Sequence, residues 1–432
     1  MNSANIDNTV VRPKGLVKAK LSRDDIIMRG GMIVIALYLV ISLVFPLYSM
    51  FSKSFSTFQY DLSKFEVQVS DDAGQFSPKI TNLQNVNEGL KAIPDEELNT
   101  GSGGRLGVTI FFPDFSFRSP VMYRIRNVDG QGRFLVGSKL ITGTDWQELD
   151  SNTFRRVQLR PVRSTGLSNF INYFSTPALF KSIQNSIFIA IISTIITVIL
   201  AFWFAYALNR SCMRFKGLFR LIAMAPILVP SLLPGIALVY LFGAQGVMKG
   251  LLFGASIYGP IGIIIGSVFF TFPHAFLIIS TALAISDGRL YEAAISLKAS
   301  PWKTFWTVTI PGARYGIISA AFVVFNLVIT DFGLPKVIGG QFNVLAVDIY
   351  KQVIGQQNFE MGAVVSVVLI IPAILAFAID RVVQSKQVAL LTARSVPFNP
   401  KPSSRADLIF TIYCGLVGLF IIGMLGICQF AA

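Results

Sequence analysis

Long, almost uninterrupted apolar runs alternate with short polar stretches along the chain, and the runs have the length of membrane-crossing helices. A helix needs about 20 mainly apolar residues to span the hydrocarbon core. Seven runs meet or approach this: Ile26–Met50, Ile183–Leu208, Leu218–Phe242, Gly259–Ile285, Tyr315–Ile329, Met361–Ala378 and Leu408–Phe430. The run at 315–329 is short and is expected to continue past Asp331. The pattern predicts an all-α polytopic membrane protein. One polar element is long, Phe51 to Ser182. It holds short β-type runs: FEVQV (65–69), VTIFF (108–112), VMYRIR (121–126), RFLVG (133–137) and FRRVQLR (154–160). The stretch VMYRIRNVDGQGRFLVG predicts a hairpin turning at Asp129 and Gly130, and NTGSGG at 99–104 reads as a flexible joint.

Composition agrees with this pattern. The 432 residues are 53% hydrophobic and 14% charged, against roughly 25% charged in a soluble domain, and the mean hydropathy is +0.61. The net charge of +14 must be sorted by loop before it is read as a binding signal. Arg12, Lys14, Lys18, Lys20 and Arg23 precede the first run. Arg210, Arg214, Lys216 and Arg220 follow the second, and Arg381, Lys386, Arg394, Lys401 and Arg405 follow the sixth. Alternating crossings put all three groups on one face, which the positive-inside rule makes cytoplasmic. The excess charge is then orientation signal, and nucleic acid is not expected as a partner. The 51–182 element falls on the opposite face as an extracytoplasmic β-rich insertion with a packing or docking role. Cys414 and Cys428 lie in an apolar run and Cys212 in a basic loop, so no disulfide framework is implied. The polar start runs into a long apolar span without a small-residue cleavage site, as expected for an uncleaved first helix.

The resulting division is a cytoplasmic tail at 1–25, a first span at 26–50 and the insertion at 51–182. A core of five spans follows at 183–380, then a cytoplasmic linker at 381–407 and a seventh span at 408–432. SRDDII at 22–27 echoes SRADLI at 404–409. The echo would make the seventh span the first of a second copy of the unit.

The loop at 286–314 contains YEAAISLKASPWKTFWTVTIPGA. Leu290, Ala293, Ala294 and Leu297 recur at i, i+3, i+4 and i+7, one face of a helix, with Ser286 and Asp287 available as caps. Ser300 and Pro301 restart a helix, serine as N-cap and proline at its first position. Trp302, Phe305 and Trp306 then recur at i, i+3 and i+4, and Pro311 with Gly312 is expected to end this helix before the next span. Two readings fit a short amphipathic helix–turn–helix. It is an interfacial element with aromatics at headgroup level, or a docking element whose small residues admit a partner backbone. Glu292 fits the second better, because a glutamate gains nothing from anionic lipid.

This loop resembles the EAA loop of binding-protein-dependent ABC importer permeases. Glu292, Ala293 and Ala294 match its acidic start, and Val308, Ile310 and Pro311 match its apolar-x-apolar-Pro end. Lys298 stands where the family has a glycine, a position expected to be left-handed and to cost a non-glycine residue roughly 1 kcal/mol. The resemblance runs from about Asn169 to Gln387. Within it ALNRSCMRFKGLFR, PSLLPGIALVYLFG, TFPHA and TDFGLPKVIGGQFNVLAVDIYKQVIGQQNF look most like permeases for 2-aminoethylphosphonate, with ferric-iron, polyamine and sulfate permeases as neighbours. Such phosphonate permeases often fuse two six-span halves, which would account for the echo at 404–409.

The resemblance implies a six-helix type I importer permease core plus a seventh span. It also implies partners: a cytoplasmic ABC ATPase dimer, an extracytoplasmic solute-binding protein, and a second permease half or a second copy, all in or at the bacterial inner membrane. Glu292, Ala293, Ala294, Lys298, Pro301, Trp302, Ile310 and Pro311 would then form the ATPase-coupling element, with Trp302, Phe305 and Trp306 anchoring its second helix. The chain has no G-x-x-x-x-G-K-[ST] phosphate loop, so ATP hydrolysis is assigned to the partner. No cofactor or metal is expected in this chain.

Other candidates weigh less. His274 is the only histidine; it lies in an apolar span after Pro273 and reads as a buried, hydrogen-bonded side chain or a pathway residue rather than a metal ligand. Asp331 and Lys336 bracket the end of the fifth span. Lys336 with Gly339 and Gly340 offers a cation and a backbone nest to an anionic solute, or is a snorkelling lysine. Pro226, Pro230 and Pro234 punctuate the third span, as a pathway-lining break or a structural kink. An ion-coupled secondary transporter is the alternative of another class, but it calls for ionisable residues within the spans, which are almost absent here. An enzyme with its site in 52–182 is weaker still, because that stretch shows no nucleophile–base or metal-ligand constellation.

Overall fold

The computed structural model describes residues 23–59 and most of 162–431, except 247, 253, 391–395, 397 and 401. Between 65 and 160 it describes 65–69, 75–76, 81–82, 108–110, 122–127, 133–136, 139–141, 144–150 and 157–160. The chain forms two units, Met1–Met50 and Phe51–Ala432. In the first, α1 (Arg23–Leu39) continues through a π turn (Val40–Val44) into α2 (Phe45–Ser54), whose last turn already belongs to the second unit. Asp24 and Asp25 stand in the first turn of α1, where the helix dipole favours them. The apolar stretch Ile27–Ser54 is 28 residues long, or about 42 Å of helix, enough to cross a bilayer.

The second unit opens with strands, and those among the described residues pair antiparallel. β1 (Ser56–Gln59) pairs with β10 (Val162–Thr165) in a two-stranded ribbon, with Ser56 opposite Thr165. The ribbon closes where the chain turns into α3 (Ser168–Ser175). There the Asn169 side-chain amide donates to the carbonyls of Ser56 at 2.7 Å and Ser54 at 3.3 Å, and Phe55 packs on Phe170. One four-stranded sheet has the order β3 (Thr81–Asn82), β2 (Phe65–Val69), β5 (Met122–Asn127), β8 (Gln147–Asp150). The other runs β4 (Val108–Ile110), β9 (Val157–Arg160), β6 (Arg133–Val136), β7 (Lys139–Ile141). β2 and β5 are stitched by directly opposed pairs: Arg126 with Glu66 at 2.6 Å and Arg124 Nε donating to Gln68 at 2.6 Å, the cross-strand contacts that stabilise such ladders. The hairpin expected over 121–137 does not form. β5 pairs with β2 and β8, while β6 pairs with β7 and β9, so the two strands belong to different sheets.

The helices that follow are α4 (Pro177–Arg210), α5 (Lys216–Met224), α6 (Leu232–Phe242), α7 (Pro260–Ala284), α8 (Gly288–Ser296), α9 (Pro301–Thr304), α10 (Ile310–Ile329), α11 (Gly333–Ile338), α12 (Leu345–Tyr350), α13 (Phe359–Leu390) and α14 (Ser404–Ala431). Proline occupies the first turn of α4, α7 and α9, where its missing N–H costs nothing and its φ is already helical. The core lies where α4, α7, α10 and α13 pack together. Small residues line the contacts: Ala190, Ser193, Thr197, Ala201 and Ala205 on α4 are all buried, and Thr197 and Thr271 hydrogen-bond between α4 and α7 at 3.2 Å. Such residues let helix backbones approach closely where apolar surroundings provide no hydrophobic drive. α14 packs on α4, α5 and α6, with Tyr413 Oη donating to the Leu200 carbonyl at 2.8 Å.

Among the described residues, six helices are long and apolar enough to cross a membrane. The expected third span, Leu218–Phe242, is not one of them. It is a pair, Lys216–Leu228 and Leu232–Phe242, bent by 102°. Val229 before Pro230 is extended (φ −105°, ψ 125°), as the proline ring requires of its predecessor. The pair still carries the chain across. Arg210 belongs to the end where it donates to the Leu283 carbonyl at 2.7 Å, and Gly259 to the other end, where its N–H donates to the Ile338 carbonyl at 2.8 Å. A second correction concerns 301–329. Pro311 and Gly312 do not end a helix; Pro301–Ile329 is one helical stretch of 29 residues, with a π turn at Phe305–Thr309. The π turn ends just before Pro311, so the helix widens where a proline would otherwise clash with the preceding turn.

α10 meets α7 at a point that admits no side chain. A Cβ on Gly316 would lie 2.3 Å from the Ala282 Cβ. Gly316→Val should therefore wedge the two helices apart and lower the thermal midpoint in detergent, at an overpacking cost of about 1–3 kcal/mol. An unchanged midpoint would show that this contact does not hold the bundle.

Candidate functional site

The loop at 286–314 folds as helix, turn, helix. Asp287 caps α8, its side chain accepting from the Arg289 N–H at 3.1 Å. Ser300 caps α9 by accepting from the Lys303 N–H at 3.2 Å. Between them Lys298 is left-handed, at φ 52°. Its N–H donates to the Ile295 carbonyl at 2.9 Å and the Ala299 N–H to the Ala294 carbonyl at 3.0 Å. These two bonds form a Schellman turn, with lysine at the position that favours glycine.

The buried face of α8 differs from the one its spacing predicts. Tyr291 is 5% and Ala294 8% exposed, whereas Leu290, Ile295 and Leu297 are 53%, 53% and 82% exposed. Glu292 and Ala293 are exposed as well. Ala294 is thus packed inside this chain, and Ala293 is the small residue left on the surface. Trp302 and Trp306 are also exposed, at 67% and 53%. Of the three aromatics expected to anchor the second helix, Phe305 does so. It stacks on Trp203 at 5.5 Å and meets Phe202 and Tyr206 edge-on, and it stacks with Trp302 at 5.9 Å.

Tyr291 turns inward because it has polar and flat partners there. Its hydroxyl donates to Thr309 Oγ1 at 3.0 Å and accepts from Arg210 Nε at 3.2 Å. The Arg210 guanidinium lies 4.9 Å from the Tyr291 ring and 4.8 Å from the Phe398 ring, within cation–π range. The sequence did not single out these residues as a site. A basic residue ending a span and an aromatic beside the EAA triplet are signals only after the fold joins them.

Residues 213–388 match the profile of the family described as binding-protein-dependent transport system inner membrane component. The matched stretch is 176 of the chain's 432 residues. Relatives include the ferric transport system permease protein FbpB of Actinobacillus pleuropneumoniae, 26% identical over 208 residues, 46% of this chain and 30% of that protein. The molybdenum transport system permease protein ModB of Azotobacter vinelandii is 28% identical over 180 residues, 40% of this chain and 80% of that protein. The spermidine/putrescine transport system permease protein PotB of Haemophilus influenzae is 25% identical over 225 residues, 50% of this chain and 78% of that protein. The chain spans about 30% of the length of the ferric relative. Among solved structures, a bacterial alginate ABC transporter aligns at 16% identity, covering 54% of this chain and 85% of that one, with a TM-score of 0.42.

Within the matched stretch, the other candidates fall into separate places. Pro230 is exposed at the 102° break and Pro234 is buried in α6. Asp331 serves that break. It accepts from the Ser231 hydroxyl and from the Gly333 N–H at 3.2 Å, tying the broken pair to the start of α11. Lys336 lies 4.1 Å over the Tyr350 ring, and the Gly339 N–H is already given to the Pro335 carbonyl at 2.9 Å. The cation and one N–H of the nest expected for an anion are therefore engaged with the protein. His274 is half-buried in α7, with the Phe270 backbone beside its ring and no hydrogen-bond partner at Nδ1. Replacing Lys298 by glycine should stabilise the Schellman turn by about 1 kcal/mol and raise the thermal midpoint. Lys298→Val should lower it. A loss of stability on Lys298→Gly would contradict the left-handed assignment.

Proposed function

We propose that this chain is the membrane permease subunit of an ATP-driven solute importer, whose loop at 286–314 seats on a separate cytoplasmic ATPase. The observation that carries this reading is the composition of the exposed face of that loop. Glu292 and Ala293 stand beside Leu290, Ile295 and Leu297, with Trp302 and Trp306 on the adjoining helix. Large exposed apolar side chains around one acid and one small residue suit a partner groove better than a lipid headgroup layer. The basic side chains of the 210–220 loop and of the 381–405 segment support a cytoplasmic position for this end of the bundle. Glu292, Ala293, Lys298, Pro301, Trp302, Ile310 and Pro311 form the coupling element in this reading, and Ala294 supports it from within. The bent α5–α6 pair with Pro230, Pro234 and Asp331 is a pathway candidate of the kind broken helices provide. A solute-binding protein on the opposite face, a partner ATPase dimer and a second permease half complete the assembly.

For the solute we propose 2-aminoethylphosphonate or a related phosphonate, on the resemblance of the 207–220, 230–243, 271–275 and 330–359 segments. The names of the relatives, which include ferric, molybdenum, spermidine/putrescine and sulfate permeases, make those solutes the competing outcomes. Uptake should be measured in cells expressing the chain with its neighbouring ATPase and receptor, across these solutes. Phosphonate uptake is the expected result, and uptake of iron without phosphonate would overturn the solute assignment. Glu292→Lys and Ala293→Trp should each lower uptake about tenfold, equivalent to on the order of 1.4 kcal/mol of coupling, and should weaken ATPase co-purification while membrane insertion persists. Unchanged uptake and co-purification in both variants would remove the coupling assignment.

A further inference from the structure

We propose that the linker between α13 and α14 is a working part of the coupling unit. Its residues Val396, Phe398 and Pro400 strap α8 to the ends of α4 and α14, with Phe398 as the positioning residue. The inference rests on the permease reading above and extends it to a segment outside the matched residues 213–388.

α8 is nine residues long, about two and a half turns. A helix that short has little intrinsic stability, so a load applied to its exposed face is transmitted only through what grips its other side. The linker supplies much of that grip. The Val396 carbonyl accepts from the Gly288 N–H at 2.8 Å, satisfying a donor that the helix start leaves open. The Val396 N–H approaches the Asp287 carboxylate at 3.4 Å, so the group that caps α8 also holds the strap. The Phe398 ring lies 4.5 Å from the Tyr291 ring and 4.8 Å from the Arg210 guanidinium. Tyr291 is thereby bounded by α4 on one side and the strap on another, while its hydroxyl reaches Thr309 at the foot of α10.

The far end of the strap is fastened as well. The Pro400 carbonyl accepts from Cys212 Sγ at 3.3 Å. Asp407, in the first turn of α14, accepts from the Cys212 N–H at 2.8 Å through one oxygen and from the Ser403 N–H at 3.0 Å through the other. One length of chain therefore ties the coupling helix to the loop after α4 and to the start of α14. A displacement of α8 by a partner is passed to both helices, and to α10 through Tyr291 and Thr309.

The native thiols provide a reporter. Cys212 is exposed at the strap, whereas Cys414 and Cys428 are buried in α14. The full chain in membrane vesicles, with its ATPase and receptor, should be treated with N-ethylmaleimide and assayed for solute moved per ATP hydrolysed. Phe398→Ala should raise the Cys212 alkylation rate at least threefold and lower the transport-to-hydrolysis ratio at least threefold, and Phe398→Tyr should restore both. Asp287→Ser keeps a cap for the Arg289 N–H but removes the charged acceptor for Val396, and should shift both readouts in the same direction if Phe398→Ala does not reach the membrane. Unchanged alkylation, or faster alkylation with an unchanged ratio, would overturn the strap. A wild-type chain that moves no solute with its ATPase would overturn the permease reading instead, and the alkylation arm would still decide whether the strap is fastened.

Discussion

Everything in the helical unit depends on close helix approach in surroundings that do not reward apolar contact. Between helices in hydrocarbon, cohesion comes from dispersion and from the few hydrogen bonds that small polar residues can share. That is why Ala, Ser, Thr and Gly recur at the contacts among α4, α7 and α10, beside the Phe204 pairs with Phe272 and Phe276, and why Ala282 fills the space that a side chain on Gly316 would need. Tight, small-residue contacts leave little room for sliding. They make each long helix a stiff rod, and Pro301–Ile329 carries that stiffness from the exposed Trp302 into the core.

Stiff rods concentrate any change at their ends and breaks. The break between α5 and α6 is stabilised because its freed groups have partners. Asp331 receives Ser231 and Gly333, and a Cβ on Gly333 would come within 2.7 Å of Ser231 Oγ. At the other end, Arg210 gathers the Leu283 carbonyl of α7, the ring of Tyr291 and the ring of Phe398. The two places share a logic: one charged side chain collects polar or aromatic groups from segments distant in sequence. Hydrogen bonds to a charged group are stronger than those between neutral groups, and they are directional. What such an arrangement secures is geometry.

Much of this was legible in the chain and some was not, for physical reasons. The spans could be read because apolar length is itself the requirement for crossing. The caps at Asp287 and Ser300 followed from local chemistry that operates within a single helical turn. The break at Pro230 could not be distinguished from Pro273 and Pro372, which sit inside intact helices. A proline breaks a helix or not according to whether the surroundings accept its displaced partners, and Asp331 lies far from Pro230 along the chain. The separation of β5 from β6 had the same origin. A turn signal is local, whereas the choice of partner strand is made by the sheet. In the loop at 286–314 the two short helices followed from the spacing, but which side chains they bury did not: Tyr291 and Ala294 face inward while Glu292 and Ala293 are exposed.

That facing carries a wider point. Helical periodicity put Leu290, Ala293, Ala294 and Leu297 on one face, yet of these only Ala294 is buried, although apolar side chains are commonly expected inside. The rule runs one way only. Tyr291 gains a guanidinium donor, a hydroxyl acceptor and two flat partners by turning inward, of which a leucine could use neither hydrogen bond. The leucines are left outside because a tyrosine displaces them. An apolar residue exposed in this way is not a defect of packing. It is surface made available by a stronger internal contact, and on α8 it surrounds the acid and the alanine that a partner would read.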